Sequence, residues 1–411
     1  MLRFFLVYFV CENVFLDANR FFPVIMVTGA RQVGKTTFLE AMKSNERNYV
    51  TLDDPLERVI AQSDPALFLQ KHPAPLIIDE VQYAPQLFPY LKMKVDEDKQ
   101  SSQYWLTGSQ KFHLMKNVTE SLAGRVAIIE LMGFSQAELL NSDSKRQLFS
   151  ANPDELSSRE ITPATNQLEY IYNSIIRGSM PELVLNPQMS KDIFYSSYLQ
   201  SYIQRDVKAL TQIGNESQFI RFMKTIAART GQIINKSDIA KDVGITSKTV
   251  DKWLSILITS GMIFLLEPYY NNLSKRLIKA PKLYMLDTGL CCYLTGWSDW
   301  KTLESGAQNG ALLENWVIIE LLKNYKYNGS SAQFYYLRTR DKSEIDLLIL
   351  QNGQVMSIEI KKAANPSKKD IRNFYILQNL KVNTGFGAVI CFSEKTYPIN
   401  ALNSAVPILR L

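Results

Sequence analysis

The stretch that decides the fold of the first part of this chain is Gly29-Ala30-Arg31-Gln32-Val33-Gly34-Lys35-Thr36, which continues into Thr37. It matches in full the phosphate-cradling pattern G-x-x-x-x-G-K-S/T. The glycines let successive backbone N–H groups face phosphate oxygens, Lys35 reaches the outer phosphates, and the Thr36 hydroxyl can hold Mg²⁺. The apolar run 24–27 predicts a buried strand before this loop, and 36–43 predicts a helix after it. The order of strand, loop and helix therefore predicts a nucleotide site that uses Mg²⁺.

The overall composition narrows the class of protein. Its length of 411 residues suits about two to four domains, and 46% hydrophobic and 21% charged residues are ordinary for globular proteins. The net charge of +6 permits a nucleic-acid partner without requiring one. Four cysteines without metal-ligand spacing indicate a cytoplasmic protein, and two histidines exclude a His-rich zinc site. The apolar run 1–10 is too short to span a bilayer, so we expect a buried strand or helix there and no membrane partner.

Strands and helices alternate through the first part of the chain. Apolar, β-rich runs occur at 49–52, 76–78, 104–107 and 126–131. This alternation predicts a parallel sheet covered by helices, in a nucleotide-binding α/β domain over residues 1–145. The stretch 141–167 is rich in Ser, Asn, Asp and Pro, and 168–230 looks helical, which predicts a linker and a lid-like helical segment over 146–230.

Two acids follow the apolar run 76–78 and complete a hydrolytic centre. Asp79, at the carboxyl end of this strand, is expected to hold the Mg²⁺ shell beside Thr36. Glu80 is expected to orient and polarise the attacking water, which would make the site hydrolytic. The alternative for Glu80 is a solvated carboxylate at a strand end.

Two further positions are candidates for contacts to the γ-phosphate. Ser109 or Gln110 follows the strand 104–107 and is expected to bond the phosphate or the water, unless this is a simple turn. Arg125 follows a helix end, where its guanidinium could stabilise phosphate charge in cis or from a neighbouring subunit. The alternative for Arg125 is a bond to helix-end carbonyls.

These motifs together resemble a prokaryotic family of AAA-type ATPases that carry a C-terminal domain of unknown function. The resemblance covers nearly the whole chain and rests on the runs 29–37, 78–82, 106–110, 122–125, 177–182 and 202–206, and on the C-terminal segment. It implies ATP as the nucleotide, an AAA-like core over 1–145 and a cytosolic setting. Ser109-Gln110 departs from the family pattern, because many AAA proteins have Asn there.

Residues 231–297 have a sequence pattern typical of a winged helix. In the run 237–257, Ser237 is expected to cap a first helix, Gly244 to allow a tight turn, and Thr246 or Ser247 to cap a second helix. The runs 262–266 and 282–286 would be the wing strands, flanking a loop with Lys275, Arg276 and Lys279. We expect DNA contacts from the second helix through Ser247, Lys248, Thr249 and Lys252. The alternative is a winged helix used for protein packing.

The C-terminal part contains a hairpin signal. Asn352-Gly353 predicts a two-residue turn, which pairs Gln351 with Gln354. In this register Asp346 falls opposite Glu359, and Glu344 falls opposite Lys361. All four side chains should project from the same face, because residues two apart in a strand share a face.

Two carboxylates directly opposite each other repel, so we expect either a cation between Asp346 and Glu359 or a raised pKa on one of them. A Mg²⁺ ion on these acids beside Lys361 would suit phosphodiester cleavage. Glu314, on the helix predicted over 311–322, is a further ligand candidate. The constellation resembles the PD-(D/E)xK nuclease core, which implies a restriction-endonuclease-like α/β domain over 298–411. The alternative is a solvent-facing hairpin in which Lys361 bridges Glu344, within a binding platform.

We therefore expect an α/β protein that binds ATP and Mg²⁺, hydrolyses ATP, and couples hydrolysis to DNA binding and to DNA cleavage. The alternative is an ATP-gated regulator that binds DNA or a protein partner without cleaving it. A third interpretation has no nucleic-acid role and assigns the C-terminal half to binding a protein partner. A homo-oligomer or a protein partner is compatible with each of these.

Overall fold

The computed structural model describes residues 10–108, 121–162, 164–207, 216–269, 280–339, 342–380 and 382–411. Within these ranges the strands form one five-stranded and one eight-stranded sheet. None of the described helices is long and apolar enough to cross a membrane. The predicted element over 1–10 lies almost entirely outside the described residues.

The first sheet is parallel throughout, in the order β2-β3-β4-β1-β5. Its strands are β1 (Val24–Thr28), β2 (Asn48–Thr51), β3 (Leu76–Asp79), β4 (Tyr104–Gly108) and β5 (Val126–Glu130). The flanking helices are α1 (Glu12–Phe21), α2 (Lys35–Met42), α3 (Pro55–Ser63), α4 (Pro65–Lys71) and α5 (Leu87–Asp98). The predicted parallel sheet is confirmed, and the observed strand ends lie within one residue of the predicted ones. Because the strands are parallel, their carboxyl ends meet at one edge, where β1 leads into the phosphate loop.

A helical segment follows the first sheet. It comprises α6 (Gln136–Leu139), α7 (Asp143–Arg146), α8 (Pro153–Ser158), α9 (Gln167–Arg177), α10 (Pro181–Leu185), α11 (Lys191–Tyr202), a π-helical turn (Ile203–Val207) and α12 (Glu216–Ala227). Three tyrosines on α11, Tyr195, Tyr198 and Tyr202, are buried. They fix one face of α11 against the rest of the protein.

Two helices with a tight turn occupy the predicted helix-turn-helix region, α13 (Lys236–Val243) and α14 (Ser247–Thr259). Gly244 adopts φ of 77° between them, a conformation that favours glycine. Thr246 caps α14, since its hydroxyl accepts a hydrogen bond from the Thr249 backbone N at 3.1 Å. The predicted cap of α13 is wrong. Asn235 rather than Ser237 is the N-cap, because its side chain accepts from the Ser237 backbone N at 3.1 Å and the helix starts earlier.

The second sheet has the order β12-β13-β11-β10-β9-β8-β6-β7. Its strands are β6 (Ile263–Pro268), β7 (Lys282–Met285), β8 (Gln333–Arg338), β9 (Glu344–Gln351), β10 (Gln354–Ile360), β11 (Gly387–Cys391), β12 (Tyr397–Pro398) and β13 (Asn403–Pro407). The helices beside it are α15 (Thr288–Thr295), α16 (Trp300–Ser305), α17 (Asn309–Tyr327) and α18 (Tyr375–Asn379). The predicted hairpin is present, with Gln351 opposite Gln354 and Leu347 opposite Ile358.

The two strands after the helix-turn-helix belong to this second sheet. β6 pairs antiparallel with β7 and also pairs parallel with β8, at Glu267 opposite Tyr335. The boundary predicted at residue 297 therefore falls within a unit whose strands share one sheet. The predicted division into domains remains a prediction.

Helix α17 connects the second sheet to the first part of the chain. The Tyr327 hydroxyl accepts from the Met132 backbone N at 2.9 Å, and Glu320 accepts from the Gln136 backbone N at 2.8 Å. The Lys323 ammonium donates to the Phe134 carbonyl at 2.9 Å. These buried bonds fix the segment after β5 against α17.

Candidate functional site

The phosphate loop needs glycine at both ends. Gly29 follows β1, and a Cβ at this position would collide with the carbonyl oxygen of Leu131. Gly34 adopts φ of 89° and precedes α2, whose first residue is Lys35. A side chain at Gly29 would clash with the Leu131 backbone, and a side chain at Gly34 would be strained by the left-handed conformation. The loop therefore directs backbone N–H groups and the positive end of a helix towards the same space.

The ammonium of Lys35 lies inside this loop. The residue is 7% exposed, and its Nζ donates to the carbonyls of Gly29 at 3.2 Å and Ala30 at 2.8 Å. Val33 is buried under the loop, whereas Arg31, Gln32, Thr36 and Thr37 line the cleft above it. This places the lysine charge at the position where the motif requires it for phosphate binding.

Thr36 and Asp79 are in direct contact, and the Mg²⁺ that they were predicted to hold stays a prediction. The Thr36 hydroxyl donates to Asp79 Oδ1 at 2.9 Å, and the Thr107 hydroxyl donates to the same oxygen. The Tyr49 hydroxyl donates to Asp79 Oδ2 at 3.0 Å. Burial and the Asp79 charge raise the pKa of Tyr49, so this phenol stays a donor. A hydroxyl and a carboxylate in contact are oxygen ligands of the type that Mg²⁺ prefers, so the residues present fit this ion.

Glu80 is held in a left-handed backbone conformation, with φ of 57° and ψ of 43°. Its backbone N donates to the Thr107 hydroxyl at 3.0 Å, and its carboxylate accepts from the Gln82 side-chain amide. A non-glycine residue in this conformation is strained by about 1–3 kcal/mol, and such strain concentrates at functional sites. Glu80 lines the same cleft as Lys35. Thr107 thus contacts both Asp79 and Glu80. It was not among the predicted site residues, although its position near the carboxyl end of a predicted strand could have indicated it.

Arg125 does not reach this cleft. It precedes β5, and its carbonyl accepts from the backbone N of Val24, the first residue of β1. It therefore lies at the amino edge of the sheet, whereas the phosphate loop leaves the carboxyl edge. The Arg125 guanidinium binds Asp96 at 2.5 Å and the Ala123 carbonyl at 3.0 Å. The predicted cis role of Arg125 is wrong, and a role in a neighbouring subunit stays a prediction. Ser109 and Gln110 lie outside the described residues.

The cleft has a second wall that sequence reasoning missed. The volume of the cleft is about 710 Å³, within the range of small-molecule sites. Facing the phosphate loop are four residues of the helical segment, namely Pro181, Glu182, Phe194 and Ser201. Glu182 belongs to the run 177–182 on which the family resemblance rests, which was the only signal for this wall.

Asp287, the N-cap of α15, anchors this second wall. Its carboxylate accepts from the Ser179 backbone N at 2.8 Å, the Tyr195 hydroxyl at 2.7 Å and the Leu290 backbone N at 2.7 Å. The Arg177 guanidinium donates to the Leu183 carbonyl at 2.6 Å and holds α10 in place. The wall therefore depends on a residue far along the chain, since Asp287 lies 108 residues after Ser179.

The C-terminal acids surround a buried lysine. Lys282 is 3% exposed, its Nζ lies 2.9 Å from Glu314 Oε1, and it also contacts Glu344. The Tyr284 hydroxyl donates to the same Glu314 oxygen at 2.5 Å. Burial disfavours the ammonium, but the charges of Glu314 and Glu344 outweigh it and raise the pKa of Lys282. The alternative in which Lys361 bridges Glu344 is wrong, because Lys282 and Arg338 pair with Glu344 instead.

Asp346 and Glu359 lie close together, as the hairpin register predicts. Asp346 Oδ2 accepts from the Ile360 backbone N at 2.9 Å, and Lys361 Nζ lies 2.7 Å from Glu359 Oε1. Burial, followed by the charge of Glu314, raises the pKa of Asp346, and burial also raises the pKa of Glu359. Glu359 Oε2 is buried without a hydrogen-bond partner. Among the described residues, no group of three or more His, Cys, Asp or Glu is arranged to hold a metal ion, so a metal here stays a prediction.

The residues predicted to contact DNA lie on α14. Ser247, Lys248 and Lys252 are exposed, whereas Thr249 is half-buried and bonded to Thr246. The predicted basic loop with Lys275, Arg276 and Lys279 lies outside the described residues. Direct DNA contact remains a prediction.

Comparison with known proteins divides the chain into three matched segments. Residues 22–140 match the model of an AAA domain. Residues 168–301 and 309–411 match two domains of unknown function, DUF8612 and DUF4143. An uncharacterized protein of Mycobacterium tuberculosis and one of Mycobacterium bovis are each 26% identical over 389 residues, which cover 94% of this chain and 80% of the relative.

Solved structures that match this chain include one from Pyrococcus abyssi and one from Thermotoga maritima. The Walker-type ATPase PABY2304 of Pyrococcus abyssi has a TM-score of 0.43 at 14% identity, over 69% of this chain and 94% of that chain. The RuvB Holliday junction branch migration motor of Thermotoga maritima has a TM-score of 0.31 at 17% identity, over 62% and 88%. The AAA-domain match, the phosphate loop and the parallel sheet together support an AAA-type P-loop ATPase in the first part of the chain.

Proposed function

We propose that this protein is a Mg²⁺-dependent ATPase whose catalytic centre is the cleft between the phosphate loop and α11. The observation that carries the proposal is the convergence of Lys35, Thr36 and Glu80 on one cleft, with Asp79 bonded to Thr36. Lys35 neutralises the outer phosphates, and Thr36 and Asp79 would hold Mg²⁺, which supplies charge neutralisation for phosphoryl transfer. Glu80 orients and polarises the attacking water.

The direct test of the nucleotide site is substitution of Lys35. Lys35→Ala removes the ammonium inside the loop and should abolish both ATP binding and hydrolysis. Glu40→Gln, at an exposed position on the same helix, is the matched control and should leave both unchanged. ATP binding by Lys35→Ala at wild-type affinity would contradict the proposal.

We further propose that the nucleotide state controls DNA binding by α14. Two observations support this. Ser247, Lys248 and Lys252 form an exposed polar and basic surface on α14. The turn after this helix also packs on the phosphate loop, since a Cβ on Gly261 would lie 3.3 Å from the Ala30 backbone N. A change in the loop on ATP binding would therefore reach the end of α14.

DNA affinity measured with and without ATP, over a range of salt concentrations, tests this coupling. Replacing Lys248 and Lys252 by alanine should weaken binding and reduce the slope of log K against log salt by about 0.9 for each phosphate that the protein no longer neutralises. Asp251 lies between these two lysines in the sequence and is also exposed, so Asp251→Ala is the control and should not reduce the slope. Salt-independent binding, or no binding, would favour the alternative in which this surface holds a protein partner.

DNA cleavage by the C-terminal acids is the second candidate function. It is supported by the unpartnered Glu359 Oε2, which lies in a cluster with Asp346 and Lys361 and is available to a metal ion. Metal-dependent nicking that is lost in Asp346→Ala would support it. No nicking by the wild-type protein with Mg²⁺ or Mn²⁺ and ATP would favour the ATP-gated, non-cleaving regulator.

We place the protein in the cytoplasm, since its four cysteines are all free and buried.

The trans role of Arg125 requires a homo-oligomer. Sedimentation with and without ATP tests that requirement, and a monomer under both conditions would exclude it.

A further inference from the structure

The cleft has two chemically different sides. The described cations that line it, Arg31 and Lys35, both come from the phosphate loop. The opposite side, formed by α10 and α11, contributes one carboxylate, one hydroxyl and one aromatic ring, from Glu182, Ser201 and Phe194. A carboxylate repels phosphates but accepts hydrogen bonds from sugar hydroxyls. The loop side therefore suits the triphosphate, and the α11 side suits the rest of a nucleotide.

The Phe194 ring is fixed before any ligand arrives. It stacks on Tyr198, one helical turn later, with ring centroids 6.2 Å apart and planes at 16°. Its edge-to-face contact with Tyr195 has centroids 5.3 Å apart. The Tyr195 hydroxyl is held by Asp287 at 2.7 Å and by the Arg177 carbonyl at 3.0 Å. Phe194 is thus half-buried on a rigid base while it still lines the cleft.

We propose that Phe194 stacks with the base of the bound nucleotide and that Glu182 faces its ribose. Aromatic side chains bind bases through stacking and need no hydrogen-bonding pattern for it. Phe194 is therefore a specificity-determining residue that distinguishes a nucleoside triphosphate from a bare triphosphate. The proposal rests on the nucleotide site described above and extends it to the base.

Binding measured by calorimetry with two probes, ATP and inorganic tripolyphosphate, each with Mg²⁺, tests this assignment. Phe194→Leu keeps an apolar side chain and removes the ring. It should weaken ATP binding by about 5- to 140-fold, which is the effect of removing one base-stacking ring, and leave tripolyphosphate binding unchanged. Phe194→Tyr retains the ring and should restore ATP affinity. Ile193→Ala, at a neighbouring position that is 71% exposed, is the matched control and should change neither affinity.

Three results would overturn the proposal. Equal ATP affinity in Phe194→Leu and wild type would exclude stacking. Equal weakening of both probes would show that the ring only supports the cleft. In wild-type protein, which needs no substitution to fold, ATP that binds no more tightly than tripolyphosphate would show that the base makes no contact. If wild type binds neither probe, the nucleotide site itself fails, and this outcome is distinct from the other three.

Discussion

Asp287→Asn is an isosteric change at the residue that anchors the second wall of the cleft. The Asp287 carboxylate accepts on both oxygens. Oδ1 bonds the Tyr195 hydroxyl and the Leu290 backbone N, and Oδ2 bonds the Ser179 backbone N and hydroxyl. An amide has one accepting oxygen, so its NH₂ group must face one of these two backbone N–H donors. The hydroxyls can rotate to adapt, but the backbone N–H cannot.

The structure sets the size of this effect. One buried N–H left without an acceptor destabilises by about 1–3 kcal/mol, and the remaining bonds weaken by about 1 kcal/mol because the acceptor loses its charge. We therefore expect Asp287→Asn to lower the free energy of unfolding by about 2–4 kcal/mol. ATP affinity should also fall, because Ser179 leads into the wall residues Pro181 and Glu182.

Urea unfolding followed by tryptophan fluorescence measures the stability, and calorimetry measures the ATP affinity. The matched control is Asp299→Asn, at the exposed N-cap of α16, where Asn caps as well as Asp and no effect is expected. If Asp287→Asn unfolds like wild type and binds ATP equally well, Asp287 does not anchor the wall.

Three further substitutions test other parts of the structure. Gly29→Ala brings a Cβ against the Leu131 carbonyl and should abolish ATP binding, so an alanine variant that binds ATP at wild-type affinity would refute the loop geometry. Lys282→Met removes the buried cation between the half-buried Glu314 and Glu344, and it should lower the free energy of unfolding by about 3 kcal/mol, the lower end for a buried pair. Part of this loss should be recovered when Glu314→Gln is added, and no recovery would argue against the ion pair. Burial raises the pKa of Glu138 above 4.5. A raised folded-state pKa stabilises the protein at low pH, and this stability is lost as pH rises through it, so Glu138→Gln should flatten the fall in unfolding free energy between acidic and neutral pH.

The residues whose positions were predicted correctly are those fixed by local sequence, and their roles stay predictions. The phosphate loop, its strand and its helix are contiguous in the chain, and Asp79 and Glu80 end an apolar run. The pattern of apolar residues and the spacing of the motif were therefore sufficient to predict where these residues lie. The proximity of Asp346 and Glu359 also followed from local sequence, because Asn352-Gly353 fixes the register of the hairpin.

The residues missed or misplaced depend on tertiary structure. Arg125 was assigned to the phosphate because it follows a predicted helix end. The predicted parallel strand over 126–131 already implied the opposite position, at the amino edge of the sheet, and the structure has it there. The C-terminal cluster contains a buried cation, Lys282, that was missed. It contacts Glu314, which is 32 residues away in the chain and on a separate element. Phe194 and Glu182 line the cleft on helices that Asp287 holds through Tyr195 and Ser179. These bonds join distant parts of the chain, so periodicity and motif spacing do not predict them.

The central claim is that Glu80 activates water in an ATP site built from the phosphate loop and Asp79. The most direct measurement is the steady-state ATPase rate of Glu80→Gln together with its ATP affinity. We expect hydrolysis to fall by about 10²- to 10⁴-fold, the usual contribution of a general base, while ATP affinity stays near that of wild type. Hydrolysis by Glu80→Gln at the wild-type rate would contradict the account.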